Sequence, residues 1–210
     1  MRWGLITVLL GSGCACLPAV DLSDYNRGNP AGLRIDVSMP VLDTDLTDES
    51  EVDSEYTAEL VYEFRQHISD KTRFRLVWGG GLAYTIAEGT ADADAMEVDY
   101  WGIAARYHLG LSYEFSPQFR VQLVPYAGAG VGYLEVDDPT LQDNTDDNYL
   151  LEYGALLHAL YAVGRVEFGA GAGFTGRRGP HYLRVDYSGY QKWYVRQDYF
   201  SVHATVGMTF

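Results

Sequence analysis

Strict alternation of apolar and polar residues, repeated along the sequence and running to its last residue, is the strongest constraint on what this chain can become. In the closing segment YFSVHATVGMTF, Phe200, Val202, Ala204, Val206, Met208 and Phe210 are apolar, and the residues between them are polar or tiny. A period of two places these sets on opposite faces of a β-strand. Seven earlier segments repeat the pattern: GLRIDVSMPVL, YTAELVYEFRQ, RFRLVWGGGLAYTI, YWGIAARYHLGLSYEF, FRVQLVPYAGAGVGY, YLLEYGALLHALYA and RVEFGAGAGF. The fifth contains Pro125, which removes a ladder donor and predicts a bulge. In the sixth, Leu156 and Leu160 share the polar face with Glu152 and His158.

The N-terminus, MRWGLITVLLGSGCACLPAV, combines Arg2, an apolar stretch from Leu5 to Leu10 and then small residues. That is the layout of a secretory signal, and its apolar stretch is too short to cross a bilayer. Residues 1–19 are expected to be removed after Ala19. GSGC, with Cys14 as a lipidation point, is the alternative, although Gly11 stands where a lipoprotein signal carries leucine. Both cysteines, Cys14 and Cys16, fall in this segment, so cleavage after Ala19 leaves no disulfide and no thiol ligand. Residues 20–31 then form a short periplasmic lead-in and 32–210 the folded domain. The net charge of -14 argues against a nucleic-acid partner, which needs lysine and arginine in excess. With 17 Tyr and 23 Gly, the composition favours strands with tight bends.

Connections between the segments alternate in length. They are short at HISDKT, SPQ and VG, and long at roughly 43–55, 87–99, 135–148 and 176–196. Short turns on one side and long loops on the other define an antiparallel outer-membrane barrel with both termini in the periplasm. The fold class expected is therefore all-β: a closed eight-stranded antiparallel transmembrane β-barrel. Eight such segments, VPYAGAGVGY and the terminal Phe210 resemble the small outer-membrane barrels of the OmpA, OmpX and OmpW type. That resemblance implies residence in the bacterial outer membrane, contact with outer-membrane lipid and lipopolysaccharide, and reading of Phe210 by the barrel-assembly machinery. The barrel is expected to be monomeric or weakly oligomeric.

The two faces then acquire meanings. The outward face carries no charge across the spanning part, and its aromatics gather near the two ends as girdles at headgroup level. The inward face holds Arg34, Arg65, Arg73, Arg75, Arg106 and Arg120 with Asp36, Glu59, Glu63, Glu114, Glu152 and Glu167. An interior of eight strands is just wide enough for side chains to fill, so these charges are expected to pair across the lumen as a plug. Inward glycines would make room for the long arginine stems.

Catalysis is weakly encoded. His203 and Thr205 stand two apart, and a His-x-Ser pair is similar to the site of lipid A deacylases, but alternation turns both toward the lumen and away from acyl chains. His108 and His158 also point inward, where interior hydrogen bonding is expected; no short ligand spacing marks a metal site. GAGVG at Gly128–Gly132 lacks the following helix and acidic partner of a nucleotide loop. Acidic loops holding Asp43, Asp45, Asp48, Glu49, Glu51, Asp53 and Glu55, and Glu135, Asp137, Asp138, Asp143, Asp146 and Asp147, have the oxygen chemistry for divalent cations without an EF-hand pattern. The fourth loop reverses the charge: Arg177, Arg178, Arg184, Lys192 and Trp193 are candidates for surface binding, to lipopolysaccharide phosphates and sugars or to the acidic loops beside them. The function expected is structural, adhesive or surface-binding, with a plugged lumen, no cofactor and no catalysis. A narrow channel for small solutes and a lipid A-modifying enzyme are the alternatives.

Overall fold

A computed structural model describes residues 31–41, 45–47, 50–69, 72–91, 96–138, 145–185 and 189–210; side chains at 45–47, 50–51 and 184–185 fall outside the description. Residues 1–30, which include Cys14 and Cys16 and in which the sequence leads one to expect a signal and a lead-in, lie outside it as well, as do Asp43, Asp48, Glu49 and Asp143. The elements are β1 (Ala31–Pro40), β2 (Asp45–Thr47), β3 (Ser50–His67), β4 (Phe74–Ala91), β5 (Met96–Glu114), β6 (Phe119–Val136), β7 (Thr145–Val163), β8 (Val166–Val185) and β9 (Gly189–Thr209). Short β2 lies between the same two neighbours as β1, pairing with β3 and β9, so it continues β1 around the ring. The ring therefore has eight positions.

Every strand pairs antiparallel with its neighbours, and β1 pairs with β9 from Gly32↔Thr209 to Pro40↔Ser201. Phe210 N donates to Ala31 O at 2.9 Å, so the last residue is fastened to the first strand. With no water in hydrocarbon, unpaired backbone groups cost several kcal/mol each, and only this closure removes the sheet edges. The hairpin between β7 and β8 turns on Gly164, whose φ of 63° suits glycine. Between β5 and β6, Ser116 Oγ accepts from the backbone N–H groups of Gln118 and Phe119 at 3.3 and 3.0 Å.

Two expectations about the strands are corrected. Pro125 causes no bulge: pairing of β5 with β6 resumes in the same register on both sides of it, with Leu111↔Leu123 and His108↔Tyr126. Proline loses its donor to one neighbour and still pairs with Ala155 on the other. Register shifts occur instead near the outer ends of the strands, at Val52/Ser54 on β3 and at Asp45/Thr47 on β2. The long loops are also shorter than expected, because β4 runs to Ala91, β6 to Val136 and β8 to Val185 before the chain turns.

These extensions obey the same alternation with its polarity reversed. In the spanning part of β4, outward Leu82, Tyr84 and Ile86 oppose inward Ala83 and Thr85; beyond it, Glu88 faces out and Ala87 and Ala91 are buried. On β9 the exposed positions change from Phe200 through Val202 to Phe210 into Lys192, Arg196 and Asp198, while the buried ones change from His203 and Ser201 into Trp193 and Val195. The apolar outside from Phe200 to Phe210 spans roughly 25 Å along the membrane normal for a tilted strand, matching a hydrocarbon layer. Aromatic pairs edge it, with Phe74 and Tyr113 at 4.9 Å below and stacked Trp101 and Tyr133 at 5.3 Å above.

At several inward glycines the neighbouring strand leaves no room for a side chain. A Cβ at Gly130 would run into the carbonyl oxygen of Ile103 and lie 2.6 Å from Ala104 Cα on β5. Gly130→Val should therefore force β5 and β6 apart and destabilise the barrel by about 1–3 kcal/mol. A lower urea midpoint, followed by heat-modifiable migration in gels, checks this.

Candidate functional site

The lumen is where the chemistry-bearing residues converge, because alternation turns them inward from all sides. Register places small residues beside large ones around a hoop, with Gly81↔Arg106, Arg106↔Gly128 and Gly128↔Glu152 on successive strands, and then sets Glu152 opposite Arg177. Glycine leaves the space into which its neighbour's long side chain extends, and Arg106 Cγ lies 2.9 Å from where a Cβ at Gly128 would sit.

Two chains of ion pairs result. In the upper one, Arg106 bridges Glu59 at 2.9 Å and Glu152 at 2.8 Å, and Glu152 passes to Arg177 at 3.0 Å. Arg177 then reaches Glu55 at 2.9 Å, while Tyr199 and Gln197 donate to the same carboxylate at 2.6 and 2.8 Å. In the lower chain, Asp36 pairs with Arg34 at 2.8 Å, and Arg34 pairs with Glu63. Arg120 joins Glu63 at 3.1 Å to Glu167 at 3.0 Å, and Arg65 also reaches Glu167 at 3.1 Å. Arg75 and Glu114 pair at 2.6 Å at the periplasmic mouth.

The structure thus brings eleven of the twelve expected lumen residues to the interior or its mouth and leaves out Arg73. Arg73 is exposed just before β4 begins, where its side chain donates to Phe115 O at 3.1 Å. Arg177, expected on a surface loop, is instead fully buried in the lumen. The strand parity that turns Glu167, Gly171 and Thr175 inward continues to it. Trp193 is likewise buried, at 4% exposure, since β9 begins before it. Glu55, Gln197 and Tyr199 were missed with Arg177, all having been placed in loops or at strand ends. Arg178 and Lys192 do lie on the outer surface, and the side chain of Arg184 falls outside the described residues.

The histidines divide. His108 Nε2 is 2.6 Å from Glu59, an interior hydrogen bond. His158 differs from expectation: neither ring nitrogen has a partner among the described residues, and the ring packs edge-on against His203 at 5.6 Å. Thr205 donates to Asp36 at 2.8 Å, so its hydroxyl is turned away from His203, whose Nε2 sits 3.0 Å from Ser201 Oγ. The adjoining cavity, lined by Asp36, Glu59, Arg106, Tyr199 and His203, is about 10 Å³, room for one water and far too small for an acyl chain. No group of three or more metal-ligating side chains converges among the described residues.

Above Arg177 the lumen changes character. Val98, Tyr100, Leu134, Leu150, Leu183, Trp193 and Val195 form a buried apolar cluster inside the extended part of the ring. It caps the polar lumen on the extracellular side.

A closed strand ring, apolar outside over one hydrocarbon thickness and filled with paired charges inside, defines a bacterial outer-membrane β-barrel protein. No protein-family model and no curated protein matches the sequence. Among solved structures, the chain is similar to Neisserial surface protein A, with TM-score 0.48, 15% identity and coverage of 86% of this chain and 97% of that one. It is similar to Ail, the attachment invasion locus protein of Yersinia pestis, at TM-score 0.46 and 16% identity over 87% and 99% of the two chains. The outer membrane protease OmpT from Escherichia coli gives TM-score 0.49 and 11% identity over 87% and 97%. These are likenesses of fold, and the roles in those names belong to those proteins.

Removing one partner of a buried pair strands the other charge, at about 3–5 kcal/mol. Arg177→Met should therefore lower unfolding free energy in lipid vesicles by that amount, leaving Glu55 and Glu152 short of a cation. Arg178→Met, one residue along and facing outward beside half-exposed Asp198, should cost about 1 kcal/mol or less. Equilibrium urea unfolding of the two variants checks the contrast.

Proposed function

We propose that this protein is a plugged outer-membrane barrel serving a structural, adhesive or surface-binding role through what it presents at the cell surface, with no catalysis and no solute conduction. The observation that carries this reading is that the lumen is obstructed twice, by the ion-pair chains within the membrane and by the apolar cluster above them. Under this reading the chain is exported with removal of residues 1–19, the assembly machinery reads Phe210, and the mature barrel is a monomer in contact with outer-membrane lipid.

A channel would need arginines on one wall, carboxylates on the other and water between. Instead Arg106 on β5 bridges carboxylates of β3 and β7 directly, and Arg120 on β6 bridges those of β3 and β8. An enzyme built on His203 would need an oriented hydroxyl and a route for lipid, whereas the neighbouring cavity is only about 10 Å³.

Single-molecule conductance of the refolded chain in a planar bilayer at neutral pH tests the proposal. Protein shown to be folded and inserted should be silent. Discrete conductance steps would mean that the charges line a water path, and transport would become the function.

A further inference from the structure

Just above the apolar belt, the outer surface divides by charge. On β4, β5 and β6 the first outward residues beyond Ile86, Trp101 and Tyr133 are Glu88, Asp99 and Glu135, directly opposed across neighbouring strands. On β8 and β9 the outward residues near the same level are Arg178 and Arg196, also directly opposed, with Lys192 and Tyr182 paired farther out. Like charges facing each other destabilise a sheet unless something of opposite sign lies between or over them. Arg178 is fixed: it donates to the Arg177 and Gln197 carbonyls at 2.7 Å each and to Tyr153 Oη at 3.1 Å, and it pairs with Asp198. Exposed Arg196 has no hydrogen-bond or ion-pair partner among the described residues. Lys192 is held over the rings of Tyr182 and Tyr194, at 5.8 and 5.5 Å from their centroids.

We infer that this outer wall of β8 and β9 binds the phosphorylated sugar headgroup of outer-leaflet lipopolysaccharide, with Arg196 and Lys192 taking a phosphate and the tyrosines packing against sugar. The inference rests on the proposed surface-binding role of the barrel. Three things on the wall fit that ligand. Its cations begin two outward positions above Phe174 and Phe200, past Gly176 and Asp198, where a headgroup lies rather than an acyl chain. Guanidinium and ammonium are the donors that phosphate accepts best at a membrane surface. Aromatic rings with polar tips suit the boundary between chain and sugar. The site is local in a chain whose net charge is -14, and the acidic wall on β4, β5 and β6 repels the same headgroup. Lipid phosphate is thereby bound on one side of the barrel only.

The test uses the full barrel in phospholipid nanodiscs, with bisphosphorylated lipid A as probe and native mass spectrometry as readout. Wild type should bind this probe at least about tenfold more tightly than the double variant Lys192→Gln/Arg196→Gln, and at least about tenfold more tightly than it binds dephosphorylated lipid A. Arg196→Gln alone should give an intermediate loss, and Asp99→Asn on the acidic wall should not weaken binding. Equal binding by wild type and double variant, or of the two lipid forms, overturns the inference. A change in oligomer size in the double variant without added lipid A also overturns it, assigning the wall to a second copy of the chain. Heat-modifiable insertion in lipid A-free bilayers is scored on the same samples. Failure to insert there would count against the barrel reading, whereas lost discrimination by inserted protein counts against the headgroup site alone.

Discussion

Everything in this fold follows from the absence of water around the middle of the strands. A backbone N–H facing hydrocarbon has no solvent partner, so the sheet must close, and it closes by the ladder between β1 and β9 from Gly32 to Pro40. Closure at eight strands fixes the interior width, and that width dictates that the lumen be filled by side chains. Once the fill is arginine and glutamate, each carboxylate must find a cation at hydrogen-bonding distance, because an unpaired charge there is costlier than any packing defect. Register then decides which residues meet, and glycine beside Arg34, Glu63, Arg106 and Glu152 supplies room for those long side chains.

Paired in this way, the lumen charges are structural. Glu59 shares Arg106 and His108, Glu152 shares Arg106 and Arg177, and Glu167 shares Arg65 and Arg120. Such sharing links strands far apart in the sequence: Glu55 on β3 is bound by Arg177 on β8, 122 residues later. Strands joined only to neighbours by the ladder are thus also braced across the diameter.

Much of this was legible in the sequence, since inward and outward sets are a matter of counting by twos. That counting placed Arg34, Glu63, Arg106, Arg120 and Glu152 correctly, along with the buried Leu156 and Leu160. It failed where a polarity rule replaced it. Segments such as 87–91 and 189–198 put charges outward and small or apolar residues inward, the reverse of the spanning pattern, and so read as loops. Had parity alone been followed past Thr175, Arg177 would have been placed in the lumen. Arg73 failed for the opposite reason: its parity was right, but it precedes the first paired residue of β4, so no wall confines it. The partners of each arginine were not legible, because register between strands depends on tilt and closure.

The reversal of polarity along each strand means that the molecule has two cores built for two solvents. Within the membrane the cohesive interior is ionic, and the apolar surface is satisfied by lipid. Beyond the membrane Trp193, Leu134 and Leu183 are buried as in any water-soluble protein, driven by surrounding water. The second core gains its driving force only after the strand ends have emerged on the far side. Once formed, it is enclosed by strand ends whose outward faces carry Glu88, Lys192, Arg196 and Asp198, charges that the hydrocarbon layer would have to admit before the barrel could slip back.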